Sequence, residues 1–436
     1  MCLTPSSSGS TPLTDMSEDR SIPREEDAPV NRIHFLRACW SDIILVESGG
    51  SFALIDTGYA MDSDRIRAYL DRLHVGRLEW ILITHFHRDH YGGLEGLLLR
   101  IPVGKVYIKK FSGLNITDGS GRAADAAFNR AETDNCENLC ALAAEASLLV
   151  VIDGSVTRVR LGEFDFRLFG TTDALRDMYS DSASPYHHQI RFGENVNSAA
   201  LYAEIRGTKV YLGGDANDDE LADRRYTRAN TRYARAVGGP VDLYKVPHHG
   251  CGNIFSDEAL SILRPRLSVV TNWRPTFERN FTRNRDRLLA ARTDARALCT
   301  DRCGYVFTLG AEGALTWEEI DRVPDITLEE ITAEGTREVL FIREGIRIGG
   351  ARFEIRREAS EFLIRDFMIF PPFRGRGAGH FCFEAFEEHC CAAGAKTFTV
   401  SCEKPEVIRF WKAFGFKEDG ADGDLTRLRL SWSSGM

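Results

Sequence analysis

The sequence predicts an α/β protein made of two domains in tandem, and three observations predict it. From Ile33 to Leu309, apolar runs of strand length alternate with stretches whose apolar residues recur at helical spacing. A polar break, Arg322-Val323-Pro324-Asp325, ends that pattern, and strand-like alternation restarts at Val339. The 436 residues are 43% hydrophobic and 27% charged, enough apolar material for a core in each half.

In chain order, residues 1–30 hold two Arg and six acids among Ser, Thr and Pro, and read as a solvated tail. The first domain spans 31–322. Ile33 and Phe35, then Asp42–Glu47 and Ser51–Asp56, form short strands, the last two joined by a Gly49-Gly50 hairpin turn. Ile66, Tyr69, Leu70 and Leu73 share one helix face. Glu79–Thr84 is a buried strand, a helix begins at Leu94, and Lys105–Ile108 is the next strand. Asn115–Ala144, polar and Ala-rich, reads as a surface insertion with one helix. Further strands fall at Leu148–Ile152, Asp165–Leu168, Ser198–Ile205, Lys209–Leu212, Leu243–Val246, Leu267–Val270 and Tyr305–Leu309. The second domain spans 327–436. It has three antiparallel strands at 339–343, 347–356 and 361–370, then a helix from Gly379 to Ala393. A strand at Thr397–Cys402 and a helix at Pro405–Phe414 follow.

The net charge of −9 excludes a global basic footprint for nucleic acid. No apolar run approaches the ~20 residues that span a bilayer, so no membrane role is expected. The N-terminal segment lacks a charged region followed by an apolar one, and eleven Cys is an odd, scattered set. These features point to reduced thiols and a cytoplasmic protein, with Cys136/Cys140 and Cys299/Cys303 as buried thiols rather than metal ligands.

Chemistry concentrates first in Thr84-His85-Phe86-His87-Arg88-Asp89-His90, directly after a hydrophobic strand and before Gly92-Gly93. In a strand-to-loop turn, His85 and His87 point to the same side and can grip one metal. Asp89 and His90 can face a second. Imidazole with carboxylate suits Zn²⁺ and, less strongly, Mn²⁺ or Fe²⁺.

This motif resembles the metallo-β-lactamase fold superfamily. Leu54-Ile55-Asp56-Thr57-Gly58, Asn195-Val196-Asn197-Ser198, Leu212-Gly213-Gly214-Asp215-Ala216 and Val246-Pro247-His248-His249-Gly250 resemble its other elements in order. The set is most similar to the hydrolase domain of DNA-uptake competence proteins. The resemblance implies an αββα sandwich with the site at one sheet edge. It implies His85 and His87 on metal 1, Asp89 and His90 on metal 2, and Asp215 bridging both. His248 would complete metal 2, with His249 as the fallback or a substrate contact. Asp56 would orient an imidazole from behind. For the third ligand on metal 1 only His187 and His188 are at hand. Two such ions activate water for attack on phosphorus or a carbonyl carbon, with Asp89 and His249 as the catalytic candidates.

Phosphodiester hydrolysis is the preferred reaction, on a small-molecule or nucleic-acid substrate. Residues 264–296 carry nine Arg and three acids, with Trp273, Phe277 and Phe281 interleaved, a pattern suited to phosphates and bases. A solvated helix face that pairs with acids is the plainer account of that stretch. Thioester and β-lactam hydrolysis share the implied fold.

The second concentration is Phe367–Gly379, a strand, a turn and a helix start in which Arg374-x-x-Gly377-x-Gly379 leaves backbone N–H groups free for a pyrophosphate. With Phe398–Cys402 and Val407–Phe416, it resembles the GCN5-related N-acetyltransferase (GNAT) family. The resemblance implies acetyl-CoA, with its pyrophosphate on Arg374, Gly375, Arg376, Gly377, Ala378 and Gly379 and its pantetheine beside Met368 and Phe370. Lys404 and Trp411 replace the family's usual Asn and proton-donating Tyr. Glu361 or Asp366 is the candidate base, and the acceptor amine is unknown. The segment is short for the family's first strand and helices. The leading expectation is a dinuclear metal hydrolase fused to an acetyltransferase-like domain. The alternatives are an acyl-CoA-sensing module that regulates the hydrolase, and an acetyltransferase beside a nominal hydrolase.

Overall fold

The computed structural model describes residues 29–113, 122–174, 177, 180, 182–183, 194–218, 228–252, 254–333, 336–356, 358, 360–374 and 377–431. The sequence expectations for most of the N-terminal tail, for His187 and His188, and for Gly375 and Arg376 therefore lie outside the described residues.

Two sheets face each other in the first half. One holds β1 (Asn31–Phe35), β2 (Ile44–Ser48), β3 (Ser51–Ile55), β4 (Leu78–Ile83), β5 (Val103–Ile108) and β6 (Leu149–Val151). The other holds β7 (Arg158–Leu161), β8 (Phe164–Phe169), β9 (Ala200–Ile205), β10 (Thr208–Leu212), β11 (Leu243–Lys245), β12 (Leu267–Val270) and β13 (Arg296–Cys299). The chain then returns to the first sheet with β14 (Gly304–Leu309) and β15 (Leu315–Ile320). The orders are β15-β14-β1-β2-β3-β4-β5-β6 and β13-β12-β11-β10-β9-β8-β7.

Alternation along each strand explains the packing, because every second residue faces the opposite sheet. Ile33, Phe35, Val46, Leu82 and Phe307 from one sheet meet Phe164, Phe166, Leu201, Leu212 and Val269 from the other. The outer face of the first sheet packs under Ile66, Leu70, Leu94 and Leu97 of the helices Ser63–Arg72 and Leu94–Leu98. The outer face of the second packs under Ala234, Leu260, Leu263 and Leu288. Helices therefore flank two sheets, the αββα order.

The helix Arg122–Glu145 differs from the expected surface insertion. Cys136, Leu139, Cys140 and Ala143 are buried in the first sheet's outer core, so one stripe of this polar helix is structural. Its polar composition hid a stripe only four residues wide.

The second half is one sheet built from β16 (Thr327–Ala333), β17 (Thr336–Arg343), β18 (Ile346–Arg356), β19 (Glu361–Ile369), β20 (Thr397–Cys402), β21 (Lys417–Asp422) and β22 (Leu425–Ser431). The order is β16-β17-β18-β19-β20-β22-β21. β16 supplies an opening strand where the sequence reading found little room. β19 and β20 run parallel but pair only from Glu361↔Thr397 to Ile364↔Val400. Beyond Ile364 they part. The helix Ala378–Ala392 crosses between them and buries Phe383 and Phe386 at 0% exposure.

The halves are docked. The last carbonyls of a helix have no partner within it. Those of Pro405–Ala413 find partners in the first half, where Thr276 Oγ1 donates to Ala413 O at 2.5 Å and Asn280 Nδ2 to Lys412 O at 3.0 Å. Arg279 donates to Phe414 O at 3.2 Å and to Glu387 Oε2 at 2.6 Å. Arg302 donates to Glu384 Oε2 at 2.5 Å. Among the described residues, no helix is long and apolar enough to cross a membrane.

Candidate functional site

The candidate metal ligands all leave the C-terminal ends of neighbouring strands. Asp56 follows β3, His85 to His90 follow β4, Asp215 follows β10, and His248 and His249 follow β11. Gly92 and Gly93 let this loop lie against the chain at Thr57–Ala60. A Cβ on Gly92 would stand 2.4 Å from Arg88 O and 2.8 Å from Ala60 N, and one on Gly93 2.4 Å from Thr57 O.

Three imidazoles aim one nitrogen at a single oxygen. The Nε2 atoms of His85, His90 and His249 lie 3.8, 3.3 and 3.6 Å from Asp215 Oδ2. Each ring is held from behind at Nδ1. His85 meets Thr84 Oγ1 at 3.2 Å, His90 meets Asp56 Oδ2 at 2.8 Å, and His249 meets Thr271 Oγ1 at 2.8 Å. The hydroxyls of Thr84 and Thr271 already donate to Asp56 and Asp42, at 2.8 and 2.7 Å. Each can then only accept from its imidazole. Nδ1 is therefore the donor on each ring, and Nε2 is the nitrogen left directed at the cluster, where a bound metal would take its lone pair.

Asp89, His90, Asp215 and His249 offer ligand atoms within 4.8 Å of one another. His87 Nδ1 lies 3.1 Å from His85 Nε2, next to this group. His90 Nε2 is buried and has no hydrogen-bond partner, which a bound cation would relieve. Two carboxylates among imidazoles form a donor set that fits Zn²⁺, Mn²⁺ or Fe²⁺. Burial holds His85 and His87 below the usual imidazole range, so they are neutral. At His90 and His249 burial acts the same way but is outweighed by Asp215 and its acidic neighbours, which raise both.

The two adjacent histidines, His248 and its fallback His249, are placed differently, and His248 Nδ1 is buried without a partner. His249 joins the four-residue cluster and His248 does not. Both residues sit at positive φ, 48° and 51°, in a turn that swings consecutive side chains apart. Two adjacent His in a sequence give no sign of which one that turn selects.

Sequence reasoning missed two residues here. Lys245, fully buried, pairs with Asp42, donates to Gly214 O at 2.8 Å and lies 3.5 Å from Asp215. Burial alone would neutralise Asp42, but Lys245 and His249 hold it well below the carboxylate range. The available signal was a lysine inside the apolar strand Leu243–Val246 and an aspartate at the head of another. Asp89 is the cluster's open side, 22% exposed against at most 2% for its partners. Arg88, next to Asp89 in the chain, lines with Tyr59, Met61, Tyr91, Asn135 and Leu139 a recess of about 640 Å³ that none of the four cluster residues lines.

Four of the nine arginines in the stretch 264–296 are engaged in ion pairs. Arg279 is taken up by the second half, while Arg285, Arg287 and Arg292 pair with Asp286, Asp257 and Asp294. Phe277 is buried, and Trp273 stacks on His380 with centroids 3.9 Å apart. Cys136, Cys140, Cys299 and Cys303 are buried away from the cluster.

In the second half, the parting of β19 and β20 opens a cleft of about 770 Å³. Met368, Arg374, Gly377, Ala378 and Gly379 line it, as do Asp366, Glu406 and Trp411. Two expected residues do not. Phe370 lies past the end of β19, where Arg347 covers its ring at 5.5 Å. Glu361 sits at the closed end of the β19–β20 pair, held by Thr399 Oγ1 at 2.5 Å and Arg356 at 3.1 Å. Those hydrogen bonds, led by Thr399 against its burial, keep its pKa low, but far from the open cleft. Asp366 is the base candidate that reaches the cleft, and Arg352 binds it at 3.0 Å.

A metallo-beta-lactamase superfamily model matches residues 37–175, and an acetyltransferase (GNAT) family model matches residues 312–416. The chain carries one domain of each family. The first match includes His85 to His90 and ends before Asp215, so the later ligand candidates stand on the geometry above. Among solved structures, the PaiA N-acetyltransferase from Thermoplasma acidophilum, in complex with coenzyme A, is 16% identical. It covers 22% of this chain and 62% of its own, with a TM-score of 0.21. An IAA acetyltransferase from Bacillus cereus is 13% identical, covering 25% of this chain and 100% of its own, with a TM-score of 0.22. No curated protein matches the chain. Both domains are of enzyme-type families, a metal-dependent hydrolase fold and an acetyltransferase.

Proposed function

We propose that the first domain is a dinuclear metal-dependent phosphodiesterase and that the second binds acetyl-CoA. The observation that carries the hydrolase is the convergence of three Nε2 atoms, each with its Nδ1 proton engaged from behind, on Asp215 Oδ2. His85, His87, Asp89, His90, Asp215 and His249 would hold the ions. When bound, such ions supply Lewis acidity and a water of lowered pKa.

The chain's own residues do the rest. Asp56 and the Thr271–Asp42 pair hold protons at Nδ1 of His90 and His249. Lys245 fixes both Asp42 and Asp215 and offsets part of their charge. Asp89, on the open side, faces whatever enters. The recess of Tyr59, Met61 and Leu139 would take an apolar part of the substrate. The competence-like set of motifs favours phosphorus over a carbonyl carbon as the reacting atom, and a small phosphodiester and a nucleic acid both fit that reading.

Metal analysis and hydrolysis of bis-p-nitrophenyl phosphate test this. About two metals per chain, with cleavage abolished in Asp89→Ala, support it. Metal-loaded protein inert to phosphodiesters but active on thioesters overturns the substrate class.

A second reading, that the C-terminal domain senses acyl-CoA rather than transferring acyl groups, is favoured by Trp411. It is 3% exposed and offers the cleft no hydroxyl proton. Acetyl-CoA binding without turnover on any amine would support it.

A further inference from the structure

Trp273 belongs to the hydrolase half, yet it lines the cleft of the acetyltransferase half. It opens the helix Arg274–Asn280, which docks on the C-terminal helices. Its indole lies parallel to the His380 ring, 7° apart in plane, and edge-on to Phe381 at 5.5 Å. It also reaches the turn that starts the cleft's helix. Gly377 has φ +78°, and a Cβ there would stand 2.5 Å from Trp273 Cη2. Glycine is thus required at 377 by the backbone and by the indole from the other domain.

We infer that the acyl-CoA site is a composite of the two domains, with Trp273 forming a wall at its diphosphate end. The inference rests on the acetyl-CoA reading above. Three further observations carry it. The indole stands beside Gly377, Ala378 and Gly379, the free end of the helix Ala378–Ala392, where a diphosphate is favoured. It is held in place by its own domain, since Trp273 N donates to Asn272 Oδ1 at 2.7 Å while Asn272 Nδ2 donates to His249 O at 2.9 Å. The halves cannot drift at this point, because the Arg279–Glu387 and Arg302–Glu384 pairs and the capped carbonyls flank it. One face of the indole is taken by His380 and the residue is 8% exposed, so it meets the cleft with what remains, beside the first amides of a helix, whose N–H groups suit the cofactor's phosphates. Burial lowers His380 to about 4, so the ring under the indole is neutral and leaves phosphate binding to the amides and Arg374.

The test uses the full chain. Hydrogen–deuterium exchange with and without acetyl-CoA should slow in peptides covering 272–280 as well as 364–380. Calorimetry should show Trp273→Ala weakening acetyl-CoA by about tenfold, with Trp273→Phe retaining most of the affinity. Slowing confined to 364–380, with Trp273→Ala binding within twofold of the parent, overturns the composite site while leaving the cofactor reading intact. No binding to the parent chain overturns the cofactor reading and takes this inference with it. The exchange measurement on the parent chain decides the matter even where the alanine variant fails to fold.

Discussion

Asp56→Asn is the substitution that most directly probes how the metal centre is set. Asp56 accepts three hydrogen bonds at 2.8 Å, from Thr84 N, Thr84 Oγ1 and His90 Nδ1. Its φ of +56° is one that Asn tolerates, so the backbone need not move. Asn keeps one acceptor oxygen and replaces the other with an NH₂ group. With the oxygen kept on Thr84 N, that NH₂ faces His90 Nδ1, which must then become the acceptor. The His90 proton is driven to Nε2, the atom that faces Asp215 at 3.3 Å. Loss of such an orienting contact weakens metal binding by about 10- to 100-fold, or roughly 1.4–2.7 kcal/mol. With zinc at one hundred times the parent's Kd, the parent gains about 2.7 kcal/mol of stability and a 100-fold weaker variant only about 0.4. Competition against a chromophoric chelator gives the affinity, and thermal unfolding with and without zinc gives the stabilisation. A zinc affinity within threefold of the parent would refute the claim that Asp56 dictates the His90 tautomer.

Three further outcomes follow from the same contacts. Lys245→Met strands the buried Asp42 charge and should cost about 3–5 kcal/mol in urea unfolding of the metal-free chain, whereas a cost below about 1 would show that Asp42 simply takes up a proton. Arg279→Ala removes both the Glu387 pair and the cap on Phe414 O, and should lower stability by on the order of 2–3 kcal/mol. An unchanged calorimetric transition would mean the docking does not depend on it. Burial raises Glu384 from 4.5 to about 7 against the pull of Arg302. The folded chain then binds more protons than the unfolded one between those values, so stability falls as pH rises through the window, by on the order of 3 kcal/mol. Glu384→Gln should flatten that part of the thermal-stability profile, and an unaltered slope would locate the proton elsewhere.

The strands of the first half were legible because their apolar runs are short, continuous and bounded by turn residues, as in Glu79–Thr84 and Leu267–Val270. The His85–His90 segment was legible because imidazoles and a carboxylate packed so densely after a buried strand would be costly to hold together without a cation between them. The edge strands β7, β13, β15 and β16 were not, since half of their residues face water and their apolar content is low. Nor could the sequence show that His249 and not His248 lies within the four-residue cluster, since both sit in one turn at positive φ. Arg279, within 264–296, was read as part of a surface because the carboxylate that meets it, Glu387, lies 108 residues further on. Long-range pairing of that kind leaves no local periodicity to read.

Three successive residues tie the two chemistries together. Thr271 positions His249, Asn272 holds that residue's carbonyl, and Trp273 rests against the other half of the molecule. A polypeptide severed near residue 323 would yield two fragments with raw faces, one baring an indole and its arginines, the other unpaired helix-end carbonyls. Neither piece would report faithfully on the behaviour of the intact protein, and an engineer wishing to retune one pocket would find the neighbouring one only a tripeptide away.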